Sequence, residues 1–126
     1  MRIVIETIPR HQMRYATVGD WFYRQNEAGQ VELAIQVADA PAPEDGFVGP
    51  YDPWLIALHE LVEARLCAQG GVTQEAVDAF DMAFAGEGEP GDDAAAPYRR
   101  QHRQACLIEH MAAQFIGHGP DYGTVA

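Results

Sequence analysis

Lysine is absent from the 126 residues, and all eight basic side chains are arginines. Cysteine occurs twice, as Cys67 and Cys106, too few for a disulfide framework; a reduced, cytoplasmic protein is the default expectation. No apolar run comes near the roughly 18 residues of a membrane helix, and Met1–Glu6 does not read as a secretory leader. Cations are scarce as well: eight against 19 Asp and Glu leave a net charge of −11. Such an acidic chain repels phosphate, so neither nucleic acid nor an anionic membrane is expected as a partner. G-x-S-x-G, a phosphate-cradling loop and C-x-x-C are also missing, which removes serine-elbow hydrolysis, nucleotide binding and dithiol redox chemistry.

What is present is globular: 48% hydrophobic and 21% charged, in a length that suits a single domain over 1–126. Residues 51–97 hold ten of the acids and one arginine. Such a run is either a solvated face or a supply of oxygen ligands for a cation.

The first forty residues read as strands. Arg2–Ile8 is β-branched and stops at Pro9, and Arg14–Val18 is a second short run, punctuated by Gly19-Asp20. Trp21–Arg24 and Gln30–Ala38 form a hairpin around the turn signal Asn26–Gly29. Val31, Leu33, Ile35 and Val37 alternate with small or polar residues, the period of a half-buried strand. Ala38–Pro53 is too rich in Pro and Gly for regular structure. Three helices follow. Asp52-Pro53 opens the first, which should run to Gln69 and stop at Gly70-Gly71; Thr73 caps the second; Pro97 opens the third, which ends near Gly117–Pro120. Between the last two, Gly86–Asp93 is an acidic loop. The expected fold class is α+β, a small N-terminal, mostly antiparallel sheet followed by three packed α-helices.

The chemistry concentrates in His59-Glu60-Leu61-Val62-Glu63. On a helix His59 and Glu63 lie about 40° apart, one turn along the same face. They border an expected apolar stripe of Leu55, Leu58, Val62 and Leu66, so they should point inward. A buried imidazole beside a buried carboxylate is costly unless paired or metal-bound. The last helix repeats the pattern: His102 and Glu109 border an expected apolar arc of Ala105, Ile108, Ala112, Phe115 and Ile116, with Cys106 one turn from His102. If these helices pack together, His102 faces the His59/Glu63 pair, and Glu109 ligates or orients. The middle helix offers Asp78 and Asp81, of which Asp81 is the better inward candidate.

His59-Glu60-Leu61-Val62-Glu63 resembles the HExxH helix of zincin metallopeptidases, with Glu63 where the second histidine would stand. The order of a small sheet, a motif helix and a helix with a further ligand is similar too. The resemblance implies a zincin-like fold, Glu60 as the catalytic general base, and His59 and Glu63 as metal ligands. It makes His102 or Glu109 the downstream ligand, with Asp81 or Glu109 completing or orienting the set. The implied cofactor is a divalent metal ion, Zn²⁺ first, with Mn²⁺ or Fe²⁺ as alternatives because carboxylates replace imidazole. The implied activity is metal-dependent hydrolysis of peptidase type by a metal-activated water. Val77–Asp81, Glu89–Asp93 and Pro97–His102 also resemble small uncharacterised phage and prophage proteins. That likeness supports an alternative function: a non-catalytic, phage-type interaction domain with a structural metal or none. An unidentified protein or peptide, or a second copy of the chain, is then the expected partner.

Overall fold

The computed structural model describes residues 1–123. Its elements are β1 (Arg2–Ile8), β2 (Gly19–Gln25), β3 (Val31–Ala38), α1 (Pro53–Gly70), α2 (Gln74–Ala83) and α3 (Arg99–Phe115), with single 3-10 turns at Arg10–Gln12, Pro43–Asp45 and Pro90–Asp92. A small sheet followed by three helices is an α+β architecture, as the patterning implied. No helix among the described residues is long and apolar enough to cross a membrane.

The sheet corrects one expectation. Its order is β1-β3-β2, and it is mixed: β2 pairs antiparallel with β3, whereas β1 pairs parallel with it. The β2–β3 hairpin occupies one edge of β3, so β1 takes the other. Residues 9–18 then bridge from the end of β1 to the start of β2 across β3, a gap of about two strand spacings. Arg14–Val18, expected as a strand, lies in this bridging segment and forms no ladder; its Val18 carbonyl accepts from the Ala38 N–H at the end of β3. Arg14 instead anchors the segment by side chain, its guanidinium bonded to Asp20 and Asp78 and lying over the rings of Tyr15 and Phe22. Gly19 and Asp20 are buried and open β2 rather than punctuate it.

Alternation along β3 sorts the sheet into two faces. Leu33, Ile35 and Val37 join Trp21, Ile56, Ala64, Cys67, Val77 and Tyr98 in the main core. On the other face Arg24 bonds Glu6 and Glu32, and Gln36 also donates to Glu6. The β2 edge is tied to α2 by the Tyr23 backbone N–H, which donates to the Gln74 side chain.

Local signals set the helix ends. Asp52 accepts from the Trp54 N–H, Pro53 fills the first position, and Gly71 adopts the left-handed conformation that ends α1. Thr73 caps α2 by accepting from the Ala76 N–H. α1 packs on β2 and β3 and along α3. Leu55 meets Ala113, His59 meets Glu109 and Glu63 meets His102, so α1 and α3 run antiparallel.

The inward faces of both helices differ from the expected stripes. α1 buries Leu55, Ile56, His59, Glu60, Glu63, Ala64 and Cys67, leaving Leu58, Val62 and Leu66 half-buried. α3 buries His102, Ala105, Glu109 and Ala113, while Ile108, Phe115 and Ile116 are exposed. The ionisable residues occupy the centre of each buried face, not its border. Small residues, Ala64, Ala105 and Ala113, surround them and admit the close approach of the helices that the polar contacts require.

Candidate metal centre

His59 and His102 project from facing helices, with ring centroids 5.0 Å apart. The carboxylate of Glu63 lies between them. Its Oε2 is 3.1 Å from His59 Nε2 and 3.0 Å from His102 Nδ1. Its other oxygen accepts from the Trp21 indole at 3.0 Å. The far nitrogen of His59 is fixed in turn: Nδ1 lies 2.8 Å from Glu109 Oε1, and Glu109 Oε2 accepts from the Tyr122 hydroxyl at 2.6 Å. The far nitrogen of His102 faces Glu89 Oε2 at 3.0 Å, Asp92 Oδ1 at 3.3 Å and Cys106 Sγ at 3.6 Å.

Two groupings could each share a cation. One nitrogen of His59, one of His102 and the Cys106 sulfur lie within 4.8 Å of one another, as do His59 with single oxygens of Glu60 and Glu63. A third grouping, Glu89, Asp92 and His102, faces the acidic loop. Each histidine thus has carboxylates at both ring nitrogens, which hold the ring in place. His59/Glu63 and His102/Cys106 are both spaced four residues apart, so each helix presents two donors on one face.

The electrostatics agree with that geometry. Burial alone lowers the pKa of His102, but hydrogen bonds to Cys106, Glu63 and Glu89 outweigh it and push the value to about 12. His59 is likewise lowered by burial, yet Cys106, Glu109 and Glu63 carry it well above its ordinary value. Burial pushes Glu63 up, but the two histidines dominate and bring it down to about 2. Burial also raises the Cys106 thiol, and the same imidazoles more than reverse this. Glu60 has no such donor; burial and the charge of Glu63 raise it well above the carboxylate range. The pocket between α1 and α3 therefore stabilises positive charge, which a proton or a divalent cation can supply.

Of the residues expected at the site, His59, Glu60, Glu63, His102 and Glu109 converge. Glu109 contacts the nitrogen of His59 opposite the one that faces Glu63, the position of an orienting group. Asp81 stands apart: it accepts from the Tyr98 hydroxyl at 2.6 Å, and burial raises its pKa to about 6. Tyr98 in turn packs edge-on to the His102 ring. Several participants lay outside the expected set. Glu89 and Asp92 read as loop charge, Cys106 as a small filler and Trp21 as sheet packing, and Tyr122 follows the last helix with no pattern of its own. Only Cys106 carried a signal, its four-residue spacing from His102. Two glycines are required by contact: a Cβ on Gly91 would stand 2.5 Å from His102 Cγ, and one on Gly19 would stand 2.5 Å from Glu60 Oε1.

No family model, curated protein or solved structure matches this chain.

Proposed function

We propose that the chain binds a divalent cation between α1 and α3, with His59, Glu63 and His102 as ligands and Cys106, at the other nitrogen of His102, outside that set. The observation that carries this reading is the meeting of two buried imidazoles, 5.0 Å apart, at one carboxylate. Two imidazoles and one carboxylate are a donor set that suits Zn²⁺, with Mn²⁺ or Fe²⁺ as alternatives. Glu109 with Tyr122 and Trp21 with Glu63 hold the ligands in place, and Asp81 acts at one remove through Tyr98.

On this reading the activity is hydrolysis of zincin type. The cation would lower the pKa of a water, and Glu60, buried beside His59 and Glu63 but bonded to neither imidazole, is the group to take its proton. One feature favours a second reading, a structural metal: the ligand side chains are almost wholly shielded, and only Glu89 and Asp92 at the loop side are well exposed.

Elemental analysis of untagged protein tests the first step. About one equivalent of metal is expected, falling towards zero in His59→Ala; equal occupancy in both would refute the ligand assignment. Glu60→Gln separates the two readings, since a hydrolase keeps its metal and loses turnover, whereas a structural site leaves metal content and stability as they were.

A further inference from the structure

His102 has a second nitrogen, and it faces outward. Nδ1 meets Glu63, whereas Nε2 lies 3.0 Å from Glu89 Oε2 and 3.3 Å from Asp92 Oδ1. These three ligand atoms stand within 4.8 Å of one another, close enough to share one ion. The Cys106 sulfur borders them, 3.6 Å from the same nitrogen. The imidazole is almost wholly buried, but the side chains of Glu89 and Asp92 are 65% and 64% exposed. Local structure fixes this arrangement. Pro90 opens a 3-10 turn in which the Asp92 N–H donates to the Glu89 carbonyl, and residues three apart eclipse in such a turn, so both carboxylates point the same way. Gly91 lets the turn lie flat against the ring, where a Cβ would stand 2.5 Å from His102 Cγ. Arg99 bonds the backbone carbonyl of Asp92 and leaves its carboxylate free. Among the described residues no arginine pairs with either acid. Loop acids alone are usually solvated; here a buried imidazole nitrogen and a thiol converge on them.

We infer that Glu89, Asp92 and Nε2 of His102 form a second, solvent-facing site for Zn²⁺, through which the buried centre takes up and releases its ion. One nitrogen and two oxygens leave a coordination position to water, the mark of an open site. A neutral imidazole has a free lone pair on one nitrogen only. An ion at Nε2 therefore leaves Nδ1–H donating to Glu63, and an ion at Nδ1 leaves Nε2–H donating to Glu89 or Asp92. The outer site is filled in passage and vacated when the inner one is occupied. Gly86–Asp93 carries four acids and no base, which raises the local concentration of cations at this entrance. The passage rests on the centre proposed above; the outer site itself does not.

Two measurements with Zn²⁺ test this. Calorimetric titration of His59→Ala, in which the buried centre is disabled, should show one equivalent bound in the micromolar range, too weak to survive purification. Adding Glu89→Gln and Asp92→Asn should abolish it. Separately, the uptake of Zn²⁺ by metal-free full-length protein is followed with a fluorescent indicator. The Glu89→Gln/Asp92→Asn pair should load about tenfold more slowly than wild type and reach the same final content. Glu87→Gln/Asp93→Asn removes the same charge from the same loop away from His102, and should load much as wild type does. No binding to folded His59→Ala, or equal loading by the two paired variants, would overturn the inference; if His59→Ala misfolds, the loading rates decide. A native protein that holds its metal but loads independently of Glu89 and Asp92 overturns the entry site and leaves the buried centre standing. Zn²⁺ bound by His59→Ala through Glu89 and Asp92, in a protein whose wild type holds no tight ion, supports the outer site and refutes the buried centre.

Discussion

The acids of the sheet half and those of the helix half are neutralised by different cations. Around the sheet the answer is arginine: Arg10 with Asp45, Arg14 with Asp20 and Asp78, Arg24 with Glu6 and Glu32. Between α1 and α3 it is histidine, at His59 and His102, and among the described residues no arginine bonds to Glu63 or Glu109. A guanidinium keeps its charge at every accessible pH and forms a fixed fork. An imidazole can give up its proton and take a metal ion in its place. The sheet pairs are therefore permanent braces, and the interhelical cluster is an exchangeable one.

The comparison breaks most visibly at Glu63. Glu63→Ala leaves two imidazoles and an indole without their shared acceptor, and should cost about 3–5 kcal/mol, read from urea denaturation, together with the bound metal. Chelation comes next. Stripping the metal from wild type should remove about 2.7 kcal/mol if the ion had been present at 100 times its dissociation constant, seen as a lower melting temperature; His59→Ala should not respond to the chelator.

The stripped protein sharpens the contrast through pH. The pKa of His102 rises from 6.5 to about 12 on folding, so its stabilising contribution is complete below pH 6.5 and is lost as pH climbs towards 12. Glu63 is depressed from 4.5 to about 2, so its contribution is present above pH 4.5 and is lost as pH falls through 2. Metal-free protein should therefore be less stable at pH 9 than at pH 6 in urea titrations, while metal affinity should change in the opposite sense, because the cation displaces protons. A metal-free stability that rises over this range would contradict the imidazolium assignment.

Tyr122→Phe is a smaller change: it removes one hydrogen bond to Glu109, worth about 1 kcal/mol, and should weaken metal binding about tenfold through the freed His59 ring, measurable by competition with a chelating dye. Asp45→Ala marks the bottom of the range. The Arg10–Asp45 pair is partly solvated, and its loss should cost about 0–1 kcal/mol with no effect on metal.

Much of the frame was legible because its causes are local. Asp52-Pro53, Gly70-Gly71 and Thr73 act within a turn of themselves, and they place both ends of α1 and the start of α2 within one residue of expectation. The spacing of His59 with Glu63, and of His102 with Glu109, placed each pair on one face before any packing was known. The inward direction of all four was expected and is observed, but they were placed at the border of apolar stripes and occupy the centre instead. In this protein the centres of the inward faces carry histidine and glutamate, paired with one another across the interface; Leu58 and Leu66 of α1 are only half-buried, and Ile108, Phe115 and Ile116 are exposed.

The chain alone determined both ends of α1, the start of α2 and which donors share a helical turn, because capping, turn chemistry and periodicity are decided by neighbours in sequence. Only the tertiary structure decided that β1 runs parallel to β3, that Trp21 and Tyr122 anchor Glu63 and Glu109, and that Glu89 and Asp92 reach His102. Trp21 and Glu63 are 42 residues apart and Tyr122 and Glu109 13, yet each pair is held at bonding distance, and no pattern confined to one segment encodes which distant surface will stand opposite it.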